Sequence, residues 1–129
     1  MGAVFGAIVA NVVFGLAVLD VSQHARSGWR LWTSEVVATF GLVLVIFGIV
    51  RSGRSAAVPF AVGAYIAAAI LFTPSTAFAN PAATAARSLT DTFAGIAPQS
   101  VPMFVIAEFI GAGLALAAVG FLSPSPSAR

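Results

Sequence analysis

Four long apolar stretches, separated by short polar breaks, dominate the pattern of hydrophobic and polar positions along the chain. Each is close to the roughly 20 residues that a helix needs to cross the hydrocarbon core of a bilayer. The pattern therefore predicts an all-α integral membrane protein with about four membrane spans in a single membrane domain over residues 1–123. The predicted spans cover residues 2–19, 33–50, 56–73 and 101–122.

The composition also indicates lipid as the solvent. Of the 129 residues, 60% are hydrophobic and only 8% are charged, an apolar fraction above that of soluble globular domains. The Pro- and Ser-rich residues 124–129 are predicted to be a short tail. We therefore expect a multi-pass protein of the cell membrane, with the lipid bilayer as its main partner.

The sparse polar residues exclude several classes of function. All six basic residues are arginines and are scattered, whereas nucleic-acid binding needs a stripe of cations. His24 has no cysteine or second histidine with which to share a metal. No nucleophile with a neighbouring base, carboxylate pair or phosphate-binding loop can be assembled. We expect no enzyme activity, no metal, no cofactor and no nucleic-acid partner.

The segment between the third and fourth apolar stretches, residues 73–100, breaks the pattern. It is longer than an idle loop in a compact protein, which indicates folded structure within it. Asn80 is a favourable N-cap and Pro81 suits the first helical position, so we predict a short helix over residues 81–93. Such a helix cannot span a bilayer, and the backbone beside it is tolerated at membrane depth only in protein or along a water-filled cavity. The pattern favours a half-helix whose N-terminus attracts anions or water oxygens along such a cavity; a re-entrant or surface helix with an ordinary Asn-Pro cap is the alternative.

The order and spacing of these elements resemble the second half of an aquaporin, a member of the major intrinsic protein (MIP) family of water and small-solute channels. The family's fourth and fifth helices are matched by TSEVVATFGLVLVIFG and VPFAVGAYIAAAILFT. Its second pore loop with half-helix is matched by FANPAATAAR, and its sixth helix by VPMFVIAEFIGAGLALA. Residues 1–19 resemble the end of its third helix. The resemblance implies an aquaporin-like half-repeat with one re-entrant half-helix.

The resemblance also implies roles for particular residues. Asn80, Pro81 and Ala82 match the pore signature (NPA motif), in which the asparagine donates a hydrogen bond to the permeating oxygen. Glu35 matches a buried helix glutamate that supports the pore loop by accepting hydrogen bonds from its backbone. Because a carboxylate in a membrane helix is costly and usually paired, this role agrees with the physics of the bilayer.

Three further residues correspond to the family's selectivity filter. Ala68 and Ala77 match filter positions, and their small size implies a wide, apolar constriction suited to glycerol or another small uncharged solute. The filter arginine of the family directly follows the motif, whereas this chain has Ala83 there and Arg87 one helical turn later. Either Arg87 faces the pore or it pairs with Asp91. The displaced arginine resembles an aquaporin-like subgroup associated with arsenic resistance, which implies neutral metalloid hydroxides as solutes.

One departure from the family is larger. An aquaporin pore needs two inverted repeats whose half-helices meet at the midplane, whereas the sequence contains one Asn-Pro-Ala and one such repeat. One hypothesis is a partial or half-length channel that works as a homo-oligomer or with a partner supplying the missing half-repeat. The alternative is a non-conducting, truncated membrane protein that retains the half-repeat fold.

Other residues within the spans predict helix packing. Glu108 is a second acid in a span, either a pore contact or a hydrogen-bonded residue between helices. Asn11 is expected to make an interhelical hydrogen bond. Ala107, Gly111 and Ala115 follow at every fourth position, which is the spacing of small residues that lets helix backbones approach closely in lipid.

Overall fold

A computed structural model of the chain describes residues 1–122, which form helices joined by loops and contain no strand. The all-α class predicted from the sequence is therefore confirmed. The predicted tail over residues 124–129 lies outside the described residues. Five α-helices follow one another: α1 Gly2–Val13, α2 Trp29–Arg51, α3 Val58–Phe72, α4 Pro81–Ala86 and α5 Val101–Leu122. Short 3-10 turns cover Ser55–Ala57, Arg87–Leu89 and Pro98–Ser100.

Three helical segments of the described chain are long and apolar enough to cross a membrane. They are α2, α3 together with its preceding turn (Ser55–Phe72), and α5 together with its preceding turn (Pro98–Leu122). Helix α2 begins at Trp29, four residues before the predicted second span, and α5 covers Val101–Leu122.

The first predicted span, residues 2–19, is shorter than expected because α1 ends at Val13. Gly15 has a φ of 71°, the left-handed conformation that glycine adopts without steric cost. The Gly15 N–H donates to the Val12 carbonyl at 3.1 Å, and the Leu16 N–H donates to the Asn11 carbonyl at 2.8 Å. This pair of bonds is the Schellman arrangement, which satisfies the last carbonyls of a helix and turns the chain away.

Helices α2 and α5 pack closely through the small residues of α5. Ala107, Gly111 and Ala115 are all buried. A Cβ atom at Gly111 would lie 2.5 Å from the Val36 carbonyl oxygen, too close for any side chain. The four-residue spacing of small side chains thus produces the backbone contact that it predicts. The short helix α4 lies between α5 and α1 and contacts both.

Candidate pore loop and half-helix

The leading loop, residues 73–80, enters α4 through a strained backbone. Thr76, Ala77 and Ala79 have φ angles of 66°, 45° and 48°, which residues other than glycine seldom adopt. Each such residue costs of order 1 kcal/mol or more, so it persists only where the surroundings fix it. Thr73, at the end of α3, begins the loop with extended backbone. The leading loop is therefore held by contacts with the rest of the protein.

Glu35 supplies the central contact of this loop. It lies in α2 and is fully buried. One carboxylate oxygen accepts a hydrogen bond from the Phe78 N–H at 3.0 Å, and the other accepts one from the Ala79 N–H at 2.8 Å. Two backbone donors that could find no partner in lipid are thereby satisfied by one side chain.

The Asn80 side chain caps the half-helix with its oxygen, and its Nδ2 amide group takes no part in the cap. Its Oδ1 accepts hydrogen bonds from the N–H groups of Ala82 at 2.9 Å and Ala83 at 3.3 Å, and Pro81 takes the first helical position. Its backbone carbonyl accepts from the Thr84 N–H at 2.9 Å. The side chain is exposed, and its Nδ2 group donates to no acceptor within residues 1–122. The amide therefore presents a fixed donor at the start of the half-helix.

The half-helix is shorter than the predicted range of residues 81–93. Helix α4 covers Pro81–Ala86, and a 3-10 turn extends it only to Leu89. From Ser88 onward, backbone carbonyls accept hydrogen bonds from N–H groups of the first loop, residues 14–28, instead of from the next turn of the helix. The Leu89 carbonyl accepts from the Asp20 N–H at 3.2 Å, and the Ser88 carbonyl accepts from the Ser22 N–H at 3.0 Å. These tertiary bonds replace the helical turn that propensity alone favoured.

The predicted alternative of an Arg87–Asp91 ion pair is not formed. One Asp91 oxygen instead accepts a hydrogen bond from the Gln23 N–H at 2.7 Å and lies 3.8 Å from the His24 ring nitrogen. Because the helix ends at Leu89, positions 87 and 91 do not share a helical face. Asp91 therefore bonds the first loop to the segment that follows the half-helix.

Arg87 is half-buried above an aromatic ring. Its guanidinium carbon lies 4.1 Å from the centre of the Phe78 ring, a cation–π contact. No acceptor in the described part of the chain takes a hydrogen bond from its five N–H donors. Arg87 also lines a cavity of about 320 Å³ between α1 and α4, whose walls include the small residues Ala3, Ala7, Ala10, Ala83 and Ala86.

Comparison with known proteins agrees with this arrangement. The chain is 51% identical over 121 residues to Aquaglyceroporin AqpS of Rhizobium meliloti (strain 1021), a match that covers 94% of this chain. The chain is therefore similar to an aquaglyceroporin over nearly its whole length, as the resemblance of its sequence to the second half of an aquaporin implies. It spans about half the length of this relative, since the match covers 52% of AqpS. No family model and no solved structure matches the chain. With its three apolar helices and this similarity, the chain is a multi-pass membrane protein.

The two small filter candidates do not share a surface. Ala68 is exposed on α3. The Ala77 side chain is only 1% exposed and packs in a cluster with Ala38, Ala69 and Ala79. The left-handed backbone at Ala77 accompanies this inward orientation, which counting along the sequence did not anticipate. Of the two, only Ala68 has a side chain free to line a path.

Sequence reasoning missed Arg26, which lies in the first loop and connects both sides of the half-helix. Its side chain donates hydrogen bonds to the carbonyls of Gly95 at 2.7 Å, Phe93 at 2.6 Å and Ser75 at 3.3 Å. Its guanidinium also lies 5.2 Å from the centre of the Phe78 ring. Burial lowers the pKa of Arg26, and the nearby carboxylate of Glu35 opposes this shift. No spacing signal distinguishes Arg26 from the other scattered arginines.

Asn11 and Glu108, the remaining polar residues predicted within helices, both contact the half-helix segment. The Asn11 Nδ2 group donates to the Leu89 carbonyl at 2.8 Å and to the Val18 carbonyl at 3.3 Å. Glu108, in α5, accepts a hydrogen bond from the Thr84 hydroxyl. Helices α1, α2 and α5 thus each direct a polar side chain toward the short re-entrant segment.

Proposed function

We propose that the chain forms part of a channel wall for the passive permeation of water or small uncharged solutes, such as glycerol or metalloid hydroxides. The observation that carries the proposal is the Asn80 side chain, whose oxygen is committed to the cap while its Nδ2 group is exposed. A solute with an oxygen atom is the natural acceptor for a fixed amide donor of this kind. No covalent chemistry is needed, so we expect a channel and not an enzyme.

Arg87 would act as the second donor along the path. Its guanidinium has no protein acceptor in the described residues and borders the cavity between α1 and α4. A fixed cation beside an otherwise apolar wall repels cations and donates hydrogen bonds to hydroxyl oxygens. This combination favours neutral, hydroxyl-bearing solutes over metal ions and protons.

Small side chains would leave the path wide. Ala68 contributes only a methyl group on the exposed face of α3, and Ala83 and Ala86 border the cavity below Arg87. A wide, weakly polar constriction admits a three-carbon polyol as well as water, because neither size nor a dense ring of donors excludes it. We therefore expect solute permeation in addition to water permeation.

The channel would require a second wall, which we propose is another protein surface. Asn80 is exposed, yet the non-helical backbone before it is tolerated at membrane depth only in protein or along water. A homo-oligomer of this chain or a partner supplying a second half-repeat would provide this cover. In either arrangement the bilayer surrounds α2, α3 and α5.

The experiment is stopped-flow light scattering of proteoliposomes, first with an osmotic gradient and then with a glycerol gradient. The decisive variant is Asn80→Asp, because aspartate keeps the cap oxygen and removes the amide donor. We expect both fluxes to fall about tenfold, the effect of losing a hydrogen bond worth roughly 1.4 kcal/mol to the permeating solute. Equal flux in the variant and the wild type would contradict the role of Asn80.

A matched pair on α3 tests the path itself. Ala68→Trp should block flux, whereas Ala67→Trp, on the next exposed position of the same helix, should leave it within about twofold. Equal loss in both variants would remove Ala68 from the path. Wild-type flux equal to that of empty liposomes, with the protein inserted and folded, would favour the non-conducting alternative.

A further inference from the structure

We propose that Glu108 is a positioning residue of the half-helix, acting through Thr84. Glu108 lies in the middle of α5 and is 1% exposed, and Thr84 lies in α4 and is fully buried. The Thr84 hydroxyl donates to one carboxyl oxygen of Glu108. The other oxygen of Glu108 is buried with no partner in the described part of the chain. The hydroxyl of Thr84 is thus the side-chain contact that ties this acid to the half-helix.

The half-helix needs such a contact because it cannot hold its own position. Helix α4 has six residues, well below the length at which a helix is stable without tertiary contacts. Most of its other side chains are alanines, which offer little surface for specific packing. A directional hydrogen bond from a long spanning helix fixes both the rotation and the depth of α4.

The location of the contact favours this role over general packing. An ionisable group inside a membrane helix is costly, and apolar side chains would fill the space between α4 and α5 without that cost. Thr84 lies one helical turn after Asn80, and the Thr84 N–H bonds to the Asn80 carbonyl. A shift of Thr84 therefore moves the Asn80 amide with it.

Glu35 and Glu108 hold different sides of Asn80. Glu35 fixes the backbone before Asn80 through the N–H groups of Phe78 and Ala79. Glu108 fixes the helix after Asn80 through Thr84. With both sides held from different helices, the Asn80 side chain has one orientation. The consequence for permeation rests on the proposed function, whereas the positioning itself does not.

The test uses the absence of cysteine from the sequence, which allows a single spin label to be placed in the full chain. A nitroxide on Ala85→Cys, an exposed site in α4, reports the mobility of the half-helix in proteoliposomes. A second label on Leu114→Cys, an exposed site in α5, reports the fold of the spanning helices. We expect Thr84→Val and Glu108→Ala each to at least double the mobile fraction at position 85 and leave position 114 unchanged.

Conservative variants separate positioning from packing. Thr84→Ser keeps the hydroxyl and Glu108→Gln keeps an acceptor, so both should retain the wild-type spectrum at position 85. The double variant Thr84→Val/Glu108→Ala should be no more mobile than Glu108→Ala alone, because Glu108→Ala already removes the bond to Thr84. Additive effects, or a Thr84→Val spectrum equal to that of wild type, would overturn the proposal.

Flux provides the second measurement. With the half-helix loosened, Thr84→Val should change the glycerol-to-water permeability ratio at least twofold while Thr84→Ser leaves it unchanged. If the wild type does not conduct, the proposed function fails and the spin-label spectra still decide the role of Glu108. If Glu108→Ala does not fold, the near-isosteric pair Thr84→Val and Thr84→Ser carries the test alone.

Discussion

At the start of the half-helix, four backbone N–H groups bond to side-chain oxygens, whereas beyond it backbone carbonyls bond to side-chain nitrogens. Arg26 reaches both sides, because it also donates to the Ser75 carbonyl of the leading loop. On the leading side, Glu35 accepts from two N–H groups and Asn80 accepts from two more. On the trailing side, Arg26 donates to the carbonyls of Phe93 and Gly95, and Asn11 donates to that of Leu89.

The difference follows from the polarity of the peptide backbone. The start of a helix has unpaired N–H groups and its end has unpaired carbonyls, and neither finds water in the hydrocarbon core. A re-entrant segment must therefore satisfy both sets with side chains or with backbone groups of the loops packed against it. Acidic and amide oxygens therefore belong before α4, and cationic and amide nitrogens after it.

The largest expected effect is the loss of the leading-side acceptor. Glu35→Ala leaves the buried N–H groups of Phe78 and Ala79 without partners, each worth about 1–3 kcal/mol. We expect a loss of about 3–5 kcal/mol in the free energy of unfolding. The measurement is an SDS titration in mixed micelles followed by circular dichroism.

Glu35→Gln is the matched control for this prediction. Its single amide oxygen replaces one of the two acceptors, so about half of the loss should remain. An unfolding free energy within 1 kcal/mol of wild type for Glu35→Ala would show that the leading loop does not depend on these bonds.

The second-largest loss of stability is expected from Arg26, which holds the trailing side of the half-helix, residues 87–97. Arg26→Ala removes donors to three carbonyls that belong to both sides of the half-helix, and we expect a loss of about 2–3 kcal/mol because the side chain is only half-buried. Arg26→Lys keeps the charge and loses the planar fork, so it should recover less than half of this. The same SDS titration measures both variants.

Hydrogen–deuterium exchange shows where Arg26 acts. In Arg26→Ala, the amides of residues 93–97 should exchange faster, and those of Phe78 and Ala79, held by Glu35, should stay protected. Faster exchange on both sides to the same degree would contradict the separation of the two sides.

Much of the fold could be predicted because membrane spans are long and repetitive. Hydrophobic length placed α2, α3 and α5, and small-residue spacing indicated the contact at Gly111. The end of α1 was missed although Gly15 marks it, since a single glycine within an apolar run is tolerated in many membrane helices. The early end of α4 was missed because it depends on bonds to the first loop.

The site could be predicted only where one residue carries a local signal. Asn80 and Pro81 are recognisable as a cap from their order alone. Arg26 has no such signal, because its three acceptors are backbone carbonyls 49 to 69 residues away in the sequence. The inward direction of the Ala77 side chain could not be predicted, because it depends on a backbone conformation that composition does not reveal.

A smaller effect is expected at Asn11, the second donor on the trailing side. Asn11→Ala removes the hydrogen bond to the Leu89 carbonyl, and we expect a loss of about 1–2 kcal/mol in the free energy of unfolding. Asn11→Asp has the same shape without the donor and should be at least as damaging. Asn11→Asp with wild-type stability would show that the side chain acts by shape alone.

The smallest effect is expected at Asp91, the one acid on the trailing side. Its role is to accept from the Gln23 N–H at the protein surface, and this needs an oxygen and no charge. Asp91→Asn should therefore change the free energy of unfolding by about 0.5 kcal/mol or less, because the exposed contact with His24 at 3.8 Å contributes little. Asp91→Ala removes the acceptor itself and should cost about 1 kcal/mol. If Asp91→Asn were as damaging as Asp91→Ala, charge would matter on the trailing side, and the contrast between oxygen acceptors before the half-helix and nitrogen donors after it would be incomplete.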